Sequence, residues 1–229
     1  MSESSGVGVL DKSVAVLAAL AERGPLNLAG LVEATGLPRP TAHRLAAALE
    51  THRLVGRDAA GRYRLGLRLL GWAGAASAEV GLVEVARPVL VRLRDETGES
   101  AQLFVRDGDR RVCVAAAERA SGLRDTVPVG SVLPLDRGSG GKVLLAFGGD
   151  LGPGPGEFDA VRRRGWAASV AEREEGVASV SAPVLDAGGR VRAAVSVSGP
   201  VQRLGRQPGR HLAGPVMAAA REIERRASP

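Results

Sequence analysis

Hydrophobic positions near the start of the chain recur at helical spacing, and glycine and proline interrupt them. A first helix is predicted over residues 9–23. Its apolar positions fall near one face, namely Val9, Val16, Leu17 and Leu20. Asn27 is a good N-cap for a second, short helix that Gly36 closes. Pro38 and Pro40 fit at the start of a third helix, because their missing N–H groups cost nothing there.

The third predicted helix has an apolar face and an outer face of small residues around one arginine. The apolar stripe consists of Ala42, Leu45, Ala46 and Leu49. Arg44 points almost directly away from that stripe. The same outer face holds Pro40, Ala47 and Thr51, with Thr41 and His43 on its shoulders. Small residues permit close approach to a flat or grooved partner.

Two short strand patterns follow, at 54–57 and 62–65, on either side of the turn sequence DAAG. Three helices followed by a basic hairpin is the plan of a winged helix-turn-helix domain, which we predict over 7–67. Residues 66–77 are rich in Ala and Gly and compatible with a helix. We assign 68–80 to a linker helix.

The pattern becomes strand-like after a further helical stretch that ends near Thr97. Four β-rich runs appear: SAQLFVR, RRVCVAAA, VASVSAPVL and RVRAAVSVSG. The sequence DAGGR joins the last two as a hairpin, and helical patterns occupy 137–146 and 210–226. The stretch 148–157 is rich in Gly and Pro and indicates a flexible loop. Residues 81–229 therefore form an α+β domain with an antiparallel sheet.

Positive charge is concentrated around the third helix and the hairpin. The chain has a formal net charge of +6. Residues 39–68 hold seven arginines against Glu50 and Asp58, a net charge of +5, which leaves +1 for the rest. This distribution indicates double-stranded DNA as a partner. The alternative is a structural three-helix unit with a solvated basic face.

In helix-turn-helix proteins, the N-terminal residues of the second motif helix contact base edges in the major groove. The corresponding residues here are Arg39, Pro40, Thr41, His43 and Arg44. Arginine pairs with guanine, and threonine can contact a base edge or a thymine methyl group. The arginines of the hairpin are Arg57, Arg62 and Arg64. We expect them to contact the DNA backbone or minor groove and to add affinity more than specificity.

Composition argues against several other classes of site. Cys113 is the only cysteine and lies in an apolar run, so we expect a buried, inert thiol. The three histidines show no ligand spacing, and we predict neither a metal site nor a cofactor. No apolar run approaches the roughly 18 residues of a membrane span. We find no signal peptide and expect a cytoplasmic protein without a membrane partner.

The sequence around Ser139 resembles two enzyme motifs but matches neither. In DRGSGGKV, Asp136 replaces the first glycine of a phosphate loop and Val143 follows the lysine. The nucleophile elbow fails because Arg137 stands two positions before Ser139. We predict that the chain is not an enzyme and that Ser139 is a helix cap or a ligand contact.

Taken in order along the chain, these features resemble the IclR family of bacterial transcription regulators. The stretches that carry the resemblance are SVAVLAALAERGPLNLAGLVEATGLPRPTAHRLAAALE, YRLGLRLL, PVLVRLRDETGESAQL, VPVGSVLPLDRGSGGKVLLA, GWAASVAEREEGVASVSAPVLDAGGRV and AAVSVSGP. The resemblance implies a GAF-like effector-binding and oligomerisation domain, a homodimer that often pairs into tetramers, and a small metabolite as effector. GESAQL, SGLRDTVPVG and VSVSGP are most similar to actinobacterial regulators associated with leucine biosynthesis.

The resemblance also implies a set of effector contacts in the C-terminal domain. These are Asp125 and Leu133 at the wall, the amides of Ser139 and Gly140, and Ser169, Ser179, Ser196 and Ser198. Hydroxyls and helix-start amides suit a small carboxylate, and Asp125 could take an amino or hydroxyl group. We therefore expect an amino acid or a hydroxy or keto acid. The alternative is that the serines only satisfy strand and cap hydrogen bonds.

Two departures from the family pattern concern the pocket. Ser169 stands where members often have Asp, so the ligand can differ. The segment between KVLLA and RRRGW is short, which predicts the loss of a helix beside the pocket. We expect the acidic run AEREEG to be a solvated face without a role.

Two functions remain open at this point. The first is a transcription regulator controlled by a small metabolite. The second is a GAF-like small-molecule-binding protein or enzyme whose N-terminal module only mediates dimerisation. Specific binding to a DNA duplex distinguishes them.

Overall fold

A computed structural model describes residues 5–76, 80–149 and 157–227 of the chain. The chain divides into two compact units, Met1–Ala78 and Glu79–Pro229. The linker predicted over 68–80 lies across this division.

The first unit is a small helical domain with the predicted order of elements. Its helices are α1 (Gly8–Arg23), α2 (Leu28–Thr35), α3 (Arg39–Thr51) and α4 (Arg68–Ala76). Asn27 caps α2, since its side chain accepts a hydrogen bond from the Gly30 amide at 2.8 Å. Gly36 ends α2 in the left-handed conformation, with φ of 66°. Both caps agree with the sequence prediction.

The buried face of α3 is the predicted one. Its buried residues are Ala42, Leu45, Ala46 and Leu49. Of these, Leu45, Ala46 and Leu49 pack with Val16 and Leu20 of α1 and with Leu31 of α2. The prediction for Val9 is wrong: 65% of this residue is exposed, because the buried face of α1 begins only at Val16.

The predicted wing is present as β1 (Val55–Arg57) and β2 (Tyr63–Leu65), which pair antiparallel. Leu26 extends this sheet by a bridge to Tyr63, with N···O distances of 2.9 and 2.8 Å. Asp58 fixes the turn because its side chain accepts from the amides of Ala60 and Arg62. These contacts hold the hairpin against the start of α2.

The second unit is an α+β domain built on one antiparallel sheet. Its elements are α5 (Val80–Thr97), β3 (Ser100–Asp107), β4 (Arg110–Ala117), β5 (Val132–Pro134), α6 (Gly138–Phe147), α7 (Glu157–Arg164), β6 (Ala167–Val170), β7 (Val177–Leu185), β8 (Val191–Pro200), α8 (Val201–Leu204) and α9 (Gly209–Ala227). The strand order is β5-β4-β3-β8-β7-β6, and every neighbouring pair is antiparallel. The predicted fold class is confirmed.

The two faces of the sheet pack against different helices. Val195 and Val197 of β8 pack with residues of α5 and α9, including Leu90 and Ile223. On the other face, Ala194 packs with residues of α6. Because side chains alternate along a strand, Ser196 and Ser198 share the face of Ala194. The effector candidates on β8 therefore lie on the side of α6.

One expectation about this domain is wrong. The segment between KVLLA and RRRGW does contain a helix, α7, and its Val161 is fully buried beside α6. Apolar residues at Phe158 and Val161, three positions apart, give this short helix a buried side. Of the predicted loop 148–157, residues 150–156 lie outside the described part of the chain. No described helix is long and apolar enough to cross a membrane.

Candidate functional site

The first turns of α3 present an exposed, basic surface. Arg39, Pro40, His43 and Arg44 are exposed, and Thr41 is half-buried. Proline occupies an early position of the helix, as predicted. Within the described ranges, Arg39 and Arg44 make no hydrogen bond or ion pair, so their guanidinium groups are free to meet a partner. The positive end of the helix dipole lies at the same place.

The arginines of the wing differ from those of α3 because they bind groups of their own domain. Arg57 donates to Glu50 at 3.1 Å and to the Tyr63 hydroxyl at 3.1 Å, and its guanidinium lies 4.3 Å from the centre of the Tyr63 ring. The hydrogen bond to Glu50 raises the pKa of Arg57 above its usual value. Arg62 donates to Asp58 at 2.7 Å.

Arg64 donates to the carbonyl oxygens of Arg57 and Leu65 at 3.3 and 3.2 Å. The two carboxylates within 39–68, Glu50 and Asp58, are thus both used by wing arginines. The uncompensated positive charge of this region lies mainly on α3 and just after it, where Arg53 is also exposed.

Replacing Arg62 by alanine is expected to weaken binding to operator and unrelated DNA alike. A phosphate contact carries no sequence information, and its loss lowers the salt slope by about 1. Titrations at several salt concentrations measure this. Arg206→Ala, which removes an exposed arginine from the other unit, is the control for net charge. A loss confined to one DNA sequence would show that Arg62 contacts bases instead.

All eight predicted effector contacts line one cavity of the second unit. They are Asp125, Leu133, Ser139, Gly140, Ser169, Ser179, Ser196 and Ser198. Residues from the sheet, the loop before β5 and the start of α6 close the cavity. The space left among their side chains is about 20 Å³, enough for a water molecule and little more. A larger ligand must displace a side chain.

Strand register brings the serines together. Ser179 of β7 pairs with Ser169 of β6 and with Ser198 of β8. In the next row, Ser181 pairs with Ser196, which in turn pairs with Gln102 of β3. Directly paired residues place their side chains on the same face of a sheet. Two rows of polar side chains therefore cross the sheet beneath α6.

The hydroxyl groups in these rows bond to one another. The Ser139 Oγ lies 2.7 Å from the Oγ atoms of both Ser179 and Ser181. Ser181 donates to Ser196 at 2.9 Å. Ser198 donates to the Gln102 Oε1 at 3.2 Å. The Ser139 hydroxyl is therefore part of the serine network. The predicted alternative, that Ser139 caps the helix, is wrong, because the N-cap of α6 is Arg137, which makes no side-chain capping hydrogen bond.

Asp125 is buried at the cavity wall and is already paired. Arg173 donates from its Nη2 to both carboxylate oxygens of Asp125, at 2.7 and 2.8 Å. Glu172, which directly precedes Arg173 in the sequence, accepts hydrogen bonds from the Gly138 amide at 3.2 Å and from Lys142 at 2.7 Å. The prediction that AEREEG is only a solvated face is therefore wrong, because Glu172 binds the start of α6 and Arg173 binds Asp125.

Arg111, at the beginning of β4, is a cavity residue that sequence reasoning missed. It is only 3% exposed. Its Nη1 donates to the carbonyl oxygens of Pro134 and Arg137, the latter at 2.5 Å. Its Nε is buried and has no hydrogen-bond partner within the described residues. Burial, and secondly the charge of Arg173, lower the pKa of Arg111 to about 10, so the group stays charged at neutral pH.

Neither the cysteine thiol nor a cluster of metal ligands lies among the described residues that line the cavity. Cys113 is buried outside it, and burial raises the pKa of the thiol to about 12, which agrees with an inert cysteine. Across residues 5–76, 80–149 and 157–227, no group of three or more His, Cys, Asp or Glu side chains could hold a metal ion.

Comparison with known proteins connects both units to one family. The model for the IclR helix-turn-helix domain matches residues 9–59. The model described as "Bacterial transcriptional regulator IclR C-terminal" matches residues 74–151 and 156–225.

Individual relatives extend over most of the chain. The HTH-type transcriptional regulator KipR of Bacillus subtilis is 28% identical over 94% of this chain and 95% of its own length. The glycerol operon regulatory protein of Streptomyces griseus is 33% identical, covering 85% of each chain.

Solved structures have the same fold. The Thermotoga maritima IclR structure superimposes with a TM-score of 0.75 at 23% identity and covers 97% of this chain and 99% of that one. An IclR homolog from Microbacterium hydrocarbonoxydans, complexed with 4-hydroxybenzoate, has a TM-score of 0.71 at 25% identity and covers 96% and 98%.

Proposed function

The chain belongs to the IclR family of DNA-binding bacterial transcription regulators, and on that premise we propose how it recognises its ligands. The start of α3 contacts operator bases, and the wing contacts the DNA backbone. A small carboxylate or amino acid binds in the cavity beneath α6 and changes the affinity for the operator. Residues 7–67, 68–80 and 81–229 serve as DNA-binding, linker and effector-binding segments, the last of a GAF-like type.

The observation that carries the effector assignment is the convergence of eight residues, chosen from sequence, on one cavity. Six of them are buried or nearly so in one polar layer: Asp125, Ser139, Gly140, Ser169, Ser196 and Ser198. A buried polar layer costs free energy unless its groups are hydrogen-bonded. The serines bond mainly to each other, and that arrangement can exchange partners when a ligand supplies acceptor oxygens.

The chemistry of the effector is constrained by the charges around the cavity. Hydroxyl groups, helix-start amides and a buried guanidinium are donors that suit carboxylate oxygens. The ligand in the structure of the Microbacterium homolog, 4-hydroxybenzoate, is also a carboxylate, with an aromatic ring. We retain leucine and its oxo acid as first candidates, with a role in leucine biosynthesis, and add 4-hydroxybenzoate as a probe.

Mobility-shift titrations with DNA from the region upstream of the chain's own gene test this proposal. We expect a specific shift whose midpoint moves when leucine, 4-methyl-2-oxopentanoate or 4-hydroxybenzoate is present. An equally strong shift with unrelated DNA of the same length would favour the alternative, in which the N-terminal module only mediates dimerisation. We further propose a cytoplasmic protein that needs no cofactor and catalyses no reaction.

We propose a homodimer from the exposed apolar residues of the first unit. On α4 and just before it, Leu67, Leu70 and Trp72 are 68%, 70% and 50% exposed. On α1 and just before it, the exposed residues are Val7, Val9, Leu10 and Val14. Exposed apolar patches of this kind mark interaction surfaces. A dimer also matches operators with two half-sites, and pairs of dimers would give a tetramer.

Replacing Leu70 by glutamate is expected to weaken the dimer at least about tenfold, because it places a charge in an apolar contact. Sedimentation over a range of protein concentrations measures the change. Leu123→Glu, at a residue 72% exposed on the second unit, is the control. A wild-type monomer, or an unchanged dissociation constant in Leu70→Glu, would contradict the assignment.

A further inference from the structure

At the start of α6, Arg111 lies beside the positive end of the helix dipole, while the Glu172 carboxylate bound there accepts from the Gly138 amide and from Lys142. Arg111 lies directly over the first turn of the helix: a Cβ on Gly138 would be 3.2 Å from its Nη2, and one on Gly141 would be 2.8 Å from its Nη1. The helix N-terminus itself carries partial positive charge and amides without intrahelical partners. A cation in this position is unfavourable unless an anion joins it.

The other charges near the cavity compensate one another. Arg173 is paired with Asp125 and with the exposed Glu174, and Lys142 is paired with Glu172. In the described part of the chain, no carboxylate lies within salt-bridge distance of Arg111. Asp136 attracts it from further away but is largely exposed to solvent. Arg111 is therefore a buried cation without a carboxylate in contact with it, and a ligand with one negative charge would supply that contact.

The place for that ligand is defined by the Arg111 Nε and by Gly140. The Nε is buried and has no partner among the described residues. A Cβ on Gly140 would lie 3.7 Å from this Nε, 3.7 Å from the Ser181 Oγ and 3.4 Å from the Phe104 ring. The missing side chain of Gly140 therefore leaves open a space that the Arg111 Nε and the Ser181 Oγ both border.

We propose that Arg111 is the residue that binds the carboxylate of a monoanionic effector, with one carboxylate oxygen accepting from its Nε in the space above Gly140. This inference rests on the proposed effector pocket and specifies its ligand class. Charge-assisted hydrogen bonds between guanidinium and carboxylate are among the stronger ones in proteins. Arg111 is already held by Pro134 and Arg137, so little side-chain freedom is lost when the anion binds.

The test uses the full chain and two pairs of probes of matched shape. Acetate is compared with acetamide, and 4-hydroxybenzoate with 4-hydroxybenzamide, at constant ionic strength set with chloride. For the wild-type protein, we expect Tm to rise by roughly 3–6 °C with a carboxylate at about ten times its dissociation constant. The amides should give no rise.

Two variants locate the anion. Arg111→Lys keeps the charge but removes the Nε–H, and at least about a tenfold loss of carboxylate affinity is expected. Gly140→Ala leaves Arg111 unchanged and fills the space, and its Cβ meets only ordinary contact distances, so the variant should fold and lose the carboxylate response. Gly214→Ala, in α9 and outside the cavity lining, is the matched control for Gly140→Ala, since a Cβ there would meet nothing within 4 Å.

The outcomes separate this inference from the proposed function. Amides that bind as well as carboxylates, a response that persists in both variants, or a wild-type protein that responds to neither carboxylate would overturn the role of Arg111. Operator binding that still changes with 4-hydroxybenzoate in Arg111→Lys would retain the pocket and reject the anion contact. Carboxylate binding that depends on Arg111 but never alters operator affinity would support the anion site and reject effector control.

Discussion

Replacing Arg44 by alanine is expected to lower affinity for the specific operator by about 1–3 kcal/mol, roughly 5- to 150-fold, and to relax base preference. Arg44 projects from α3 opposite its buried stripe, is exposed and has no partner within the described residues. An arginine so placed in the major groove can bond bidentately to guanine. The wing arginines, which bind their own domain, should contribute less to specificity.

Competition between the operator and single-base variants of it measures this effect. Thr51→Ala is the matched control, since Thr51 lies on the same outer face but in the last turn of α3, where its hydroxyl donates to the Ala47 carbonyl. Only the first turns of a recognition helix contact bases. An Arg44→Ala protein with the wild-type order of preference would show that another residue reads the sequence.

The double change Ser196→Ala, Ser198→Ala is expected to abolish effector stabilisation and to leave DNA binding intact. For the wild-type protein, a ligand at about a hundred times its dissociation constant stabilises the fold by about 2.7 kcal/mol. Both serines line the cavity, and their hydroxyls now contact Ser181 and Gln102. Without them, the floor of the cavity loses two donors to the ligand.

Melting curves with leucine, 4-methyl-2-oxopentanoate and 4-hydroxybenzoate measure this second effect. The double variant must first keep the wild-type affinity for operator DNA, which shows that the fold survives. A rise in Tm of wild-type size in this variant would place the ligand elsewhere.

Much of the fold could be predicted because its signals are local. Asn27, Gly36 and the apolar stripe of α3 each act within a few residues, and all three agree with the structure. The turn DAAG likewise sets its hairpin locally, through the side chain of Asp58 and the left-handed backbone of Gly61, whose φ is 73°. Val9 shows the limit of such reasoning, because helical periodicity does not reveal where packing begins.

The candidate cavity was only partly predictable. The serines follow from strand alternation together with the family resemblance. Arg111 and Arg173 depend instead on contacts between distant parts of the chain, with Pro134 and Arg137 in one case and Asp125 in the other. An arginine at a strand start ordinarily predicts a solvated end. The glycines of α6 let the helix approach Arg111 closely, since a Cβ on Gly138 or Gly141 would lie within 3.2 Å of its guanidinium. The sequence GSGG was the available signal for this burial.

Selection of duplexes from a random library by the purified protein tests whether α3 recognises a DNA sequence. We expect enrichment of one motif, arranged as two half-sites about one helical turn or a multiple of it apart, and a different or weaker motif for Arg44→Ala. A library that remains random after repeated selection with the wild-type protein would contradict sequence-specific recognition by α3.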